Sequence, residues 1–136
     1  MIKFFGIAVT VLAAGVVFTV GCSRPSASPQ VGSEELDAQV FRALRDAGAD
    51  LTKETEVNFY LYFPIRDSAV RAAESDHIAG FQAMVKPGAD DKTWLCLISG
   101  RMVPTEAAIR TAGVRLTALA TSLNGRYDGW EAAVTK

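Results

Sequence analysis

From Val57 to Phe63 apolar and polar side chains alternate without a break, and alternation sets Val57, Phe59, Leu61 and Phe63 on one face of a strand. Asn58, Tyr60 and Tyr62 fall on the other face, and Pro64 ends the run. Burying four such apolar side chains is worth roughly 1.5–3 kcal/mol each, so the pattern predicts the middle strand of a sheet. Ahead of it, Ser33 is the expected cap of a helix closed by Gly48, with Leu36, Val40, Ala43, Leu44 and Ala47 on the inward stripe and Phe41 at its margin. After it, Asp67 or Ser68 should cap a second helix that turns Ala69, Val70, Ala73 and His77 inward and ends at Gly80. Two strands follow, 81–86 before Pro87 and 94–99, joined by the polar loop 88–92. Trp94, Cys96 and Ile98 oppose Leu95 and Leu97, which predicts a second central strand with apolar residues on both faces. Thr105 opens the longest helix, striped by Ile109, Ala112, Gly113, Leu116, Leu119, Ala120 and Leu123, where Gly113 is expected to permit close approach to the sheet. Asn124-Gly125 ends it, and Arg126–Glu131 form a last short strand.

This order is that of a split βαβ unit: an α+β, ferredoxin-like sandwich with a four-stranded antiparallel sheet and an extra N-terminal helix. Right-handed crossover places the third strand between the parallel first and second, giving the strand order 4-1-3-2. Trp130 is the large apolar side chain of the last strand and is expected to pack over the end of the long helix, closing the sandwich.

The N-terminus follows another pattern. A basic start at Lys3, an apolar run from Phe4 to Val20 and then Gly21-Cys22 read as an export signal. The ending resembles a bacterial lipoprotein signal, which implies cleavage before Cys22 and its acylation; ordinary cleavage with Cys22 a bystander is the alternative. The chain then divides into a signal at 1–21, a Ser- and Pro-rich flexible tether at 22–32 and one domain at 33–136. Removing Lys3 with the signal leaves 13 of the 14 basic residues against 15 acidic ones, a net charge of −2 that offers no electrostatic footprint for nucleic acid.

Candidate chemistry is sparse. His77 has no partners at metal-ligand spacing, and Cys96 lies in an apolar strand without a basic neighbour, so a packed histidine and an inert thiol are the preferred readings. The acids Glu34, Glu35 and Asp37 are read as helix-dipole partners, and Asp90 with Asp91 as a solvated turn. No cofactor or metal site is expected. Tyr60 and Tyr62 suggest an aromatic platform, but without Lys or Arg runs they fit cover by the first helix or by a protein better than RNA.

The ending Asn124-Gly125-Arg126-Tyr127-Asp128-Gly129-Trp130-Glu131, with Leu61-Tyr62-Phe63-Pro64 after a leading helix, resembles the bacterial regulator of ribonuclease E activity B (RraB) family over residues 35–134. That resemblance implies a small, non-enzymatic, ferredoxin-like protein that inhibits ribonuclease E by protein contact. With the export signal, the expectation is a non-catalytic interaction module anchored through Cys22 in the bacterial envelope and facing the periplasm. Tyr60, Tyr62, Asp128 and Glu131 are its candidate partner contacts, while Tyr127, Gly129 and Trp130 form a structural motif. A ribonuclease E inhibitor on the cytoplasmic side is the alternative, and a hydrolase using Asp128, Glu131 or His77 is a third reading.

Overall fold

The computed structural model describes residues 30–136; the signal, Cys22 and most of the tether lie outside them. The elements are α1 (Gln30–Asp46), β1 (Thr55–Phe63), α2 (Arg66–Ala73), a 3-10 turn (Asp76–Ile78), β2 (Gln82–Pro87), β3 (Trp94–Met102), α3 (Glu106–Ser122) and β4 (Arg126–Ala132). The strands make one antiparallel sheet in the order β2-β3-β1-β4, the expected 4-1-3-2 read from its other edge. The fold is α+β and ferredoxin-like, with β1 and β3 central and Pro87 at the end of an edge strand.

One sheet face carries the core. Val57, Phe59, Leu61 and Phe63 are buried on it beside Cys96, Ile98 and Trp130, under Ala69 and Ala72 of α2 and Ile109, Leu116, Leu119 and Ala120 of α3. Phe41 and Leu44 of α1 complete the same cluster. Thr105 caps α3 by accepting from the Ala108 N–H at 3.1 Å. Gly48, at φ +79°, closes α1: its N–H donates to the Arg45 carbonyl at 2.9 Å, and Ala49 N–H donates to the Leu44 carbonyl at 2.9 Å.

Several local expectations are corrected. Helix α1 begins at Gln30, so Ser33 lies within the helix instead of capping it, and residues 30–32 are helix instead of tether. Its buried stripe is rotated from the expected one: Phe41 and Leu44 are enclosed, whereas Leu36 is 59% exposed and Ala43 also faces out. Trp130 decides that rotation, because its ring lies 5.1 Å from that of Phe41 and its Nε1 donates to Asp37 Oδ1 at 2.8 Å. The indole therefore meets the leading helix, in the same buried cluster as Leu116, Leu119 and Ala120 of the long one. Helix α2 has Ile65 at its N-cap with no side-chain cap bond, and it stops at Ala73. Ser75 then caps the 3-10 turn, accepting from the His77 N–H at 3.2 Å, and the turn buries Ile78 while leaving His77 exposed. Phe81 precedes β2 and packs edge-on against Phe59, with ring centroids 5.9 Å apart.

Candidate functional site

The second face of the sheet has no described element over it. Register places Glu56, Asn58, Tyr60 and Tyr62 of β1 there, opposite Arg101, Ser99, Leu97 and Leu95 of β3. Gln82, Met84 and Lys86 of β2 continue the face. Met84 is 59% exposed, whereas Leu95 is buried between its register neighbours Tyr62 and Lys86, outside the core. The helices, α1 included, pack on the other face, so the expected cover of Tyr60 and Tyr62 by the first helix does not occur.

Strand β4 completes the site through an irregularity. Asn58 pairs with Glu131 and Tyr60 with Gly129, but Leu61 pairs with Tyr127, so Asp128 is an extra residue bulged out of the ladder. Gly129 sits at φ +117°, a backbone conformation that a side chain would strain. The bulge shifts the alternation, turning Tyr127 and Trp130 toward the helices and Asp128 and Glu131 toward the open face. Unbroken alternation would have put Tyr127 and Glu131 on the same side; the one sequence signal for the shift was a glycine inside a strand.

Polar groups on the open face are joined across the strands. The Tyr60 hydroxyl donates to Glu131 Oε1 at 2.6 Å, and Asn58 Nδ2 donates to the same oxygen at 3.2 Å. Burial pushes the Tyr60 pKa far above the ordinary phenol value, and the hydrogen bond and charge of Glu131 push it further. The Arg126 guanidinium lies 5.4 Å from the centre of the Tyr62 ring. Burial raises the Tyr62 pKa; the Asp128 charge adds to the shift and Arg126 opposes it. Asn58 and Arg126 were not singled out by sequence as contact residues, although alternation already placed Asn58 beside the two tyrosines.

On the helix side, Tyr127 has a buried hydroxyl with no partner among the described residues; burial raises its pKa strongly, and the Asp37 charge contributes. Cys96 is fully enclosed, and burial pushes its thiol up to about 11. The His77 carbonyl accepts from Arg115 Nη2 at 2.8 Å, and its side chain borders an open groove of about 430 Å³ with Glu74 and Asp76. Asp128 and Glu131 lie across the sheet from it, so His77 is not brought beside these carboxylates. Glu34 pairs with Arg110 at 3.5 Å and Asp37 holds Trp130, while the first turn of α1 carries no acid, which replaces the dipole reading of this cluster. Asp90 Oδ1 accepts from Lys92 N, Thr93 N and Thr93 Oγ1 at 2.8–3.1 Å, organising the β2–β3 turn. Among the described residues no three His, Cys, Asp or Glu side chains converge as metal ligands.

The sequence model of the family described as regulator of ribonuclease activity B (RraB) matches residues 34–132, from the second turn of α1 to the end of β4. No curated protein matches the chain.

Proposed function

The chain belongs to the RraB family, a regulatory, protein-binding family, and on that premise we propose that it works without catalysis, taking a protein partner on its open sheet face while tethered to the bacterial envelope and facing the periplasm. The observation that carries this reading is the convergence of Tyr60, Tyr62, Asp128 and Glu131 on a half-apolar face with no described element over it. Aromatic side chains set among polar groups are the composition that binding surfaces favour. Among the described residues no helix is long and apolar enough to cross a membrane, so the membrane link in this reading rests on acylation of Cys22.

A second reading takes up the family description, regulation of a ribonuclease: the domain would then act as an inhibitor by direct contact, on the cytoplasmic side. One experiment separates the two. Full-length protein is expressed in a bacterium, its N-terminal peptides are analysed by mass spectrometry, and protease is added to spheroplasts. The envelope reading expects no peptide spanning Gly21 and Cys22, a diacylglyceryl mass on Cys22, and digestion of the domain from outside. An intact N-terminus with a protected domain would sink the periplasmic assignment and favour the ribonuclease reading.

A further inference from the structure

Glu131 is a half-buried carboxylate with its position fixed by two neighbours on β1. Tyr60 and Asn58 both direct their donors to Oε1, and no Lys or Arg among the described residues lies within ion-pair distance of either oxygen. The neighbouring bases are engaged elsewhere. Arg126 lies over Tyr62, and Arg101 Nη2 donates to the Glu54 carbonyl at 3.3 Å. The side-chain donors of this cluster are therefore spent on one oxygen. Glu131 Oε2 remains an acceptor, and Asn58 Oδ1, out of solvent and without a donor, adds the negative end of its amide dipole. Glu56 precedes Asn58 on β1 and Asp128 bulges from β4, so exposed carboxylates lie on either side. Partial desolvation of a carboxylate without a countercharge is costly, and a cation from outside would relieve that cost.

We infer that the open face receives a basic, arginine-bearing segment of a protein partner, with a guanidinium seated on Glu131 beside the Tyr60 ring. Arginine fits better than lysine because its flat fork can pair with a carboxylate oxygen while stacking on an aromatic ring. Leu97 and the exposed Met84 lie on the Tyr60 side of the face and suit the aliphatic residues of such a segment. The face also carries Lys86, Arg101 and Arg126, so its charge as a whole is balanced; at Glu131 itself, with no base within ion-pair distance among the described residues, a phosphate would meet a bare carboxylate, and a protein cation suits that position better than nucleic acid. This inference rests on the reading of the open face as the partner surface.

The test uses full-length protein in neutral detergent and a fluorescent peptide of alternating arginine and leucine, compared with the same peptide carrying citrulline, which keeps the shape without the charge. Expected are binding that weakens with added salt, and a loss of about tenfold or more on replacing arginine by citrulline or on Glu131→Gln. Glu106→Gln, on α3 away from the face, should bind as the parent does. As a check independent of the stability of one variant, Glu131→Arg should recover affinity for a peptide with glutamate in place of arginine. Equal binding by the parent and Glu131→Gln, or an equal loss in Glu106→Gln, overturns the assignment. A parent that dimerises while Glu131→Gln stays monomeric overturns it in favour of a second copy. If the arginine peptide does not bind but a photo-cross-linker at position 84 still captures a protein in cells, the basic segment is wrong and the partner face stands. Failure of both removes the face as well.

Discussion

Replacing Trp130 with Ala should cost about 3–5 kcal/mol, a large share of the roughly 5–15 kcal/mol that holds a domain of this size together, because the indole is 6% exposed and sits against Phe41. Trp130→Phe keeps a ring there but leaves Asp37 without its donor, and should fall between Ala and the parent. Asp128→Asn, at an exposed bulge position, should stay within about 0.5 kcal/mol of the parent. Denaturant unfolding orders the three, and a Trp130→Ala protein as stable as the parent would make the indole dispensable to the α1–β4 contact. Titration gives a second set of outcomes. Tyr60, Tyr62 and Tyr127 all have pKa values raised above the ordinary 10.0 in the fold. Above pH 10 the folded state thus holds more protons than the unfolded one, so this contribution is complete below pH 10 and is lost as pH rises beyond it. Phenolate absorbance should appear together with loss of near-ultraviolet circular dichroism; three tyrosines ionising near pH 10 in an intact fold would contradict this. Cys96, with its thiol raised to about 11, should resist iodoacetamide at pH 8 until denaturant is added, as peptide mass mapping would reveal.

At the scale of elements, glycines that look alike in sequence have different constraints. Gly113 reads as a close approach of α3 to the sheet, yet a Cβ there would lie 3.7 Å from the Tyr127 ring, an ordinary contact. Gly113→Ala should therefore stabilise the protein by about 0.5–1 kcal/mol through helix propensity and a less flexible unfolded chain. Gly125 is the opposite case. The left-handed position ending α3 is taken by Asn124 at φ +59°, and Gly125 N–H reaches back to the Ala120 carbonyl at 2.7 Å. A Cβ on Gly125 would run into the Phe63 ring and stand 2.6 Å from the Tyr62 carbonyl oxygen, which belongs to the central strand and cannot move cheaply. Gly125→Ala should lower the thermal midpoint while Gly113→Ala raises it, and a calorimetric scan of the pair settles both. The same contrast holds for helices: α3 follows its predicted stripe, with Ile109, Leu116, Leu119 and Ala120 buried, whereas α1 turns to meet Trp130.

For the whole molecule, strand order and layer arrangement were legible because they rest on strong local signals joined by a chirality rule. Alternation from Val57 to Phe63, apolar residues on both faces of β3 and the long stripe of α3 left few ways to bury so much surface, and right-handed crossover selected the order that the sheet adopts. The family resemblance was legible too, from the Tyr127–Glu131 ending, and the family match extends over residues 34–132. Pairing and rotation were decided at tertiary level. Whether Phe41 or Leu36 faced inward depended on a tryptophan far along the chain, and the end of α2 depended on Ile78 being buried while His77 was not. Local periodicity gives a stripe about one-third of a helix wide, and only the neighbouring surface fixes which edge of that stripe is enclosed. The face shared by Tyr60 and Glu131 depended on a one-residue bulge at Asp128; a bulge reverses the inward and outward sense of every residue beyond it, and the ladder across the sheet, not the local sequence, fixes where it falls.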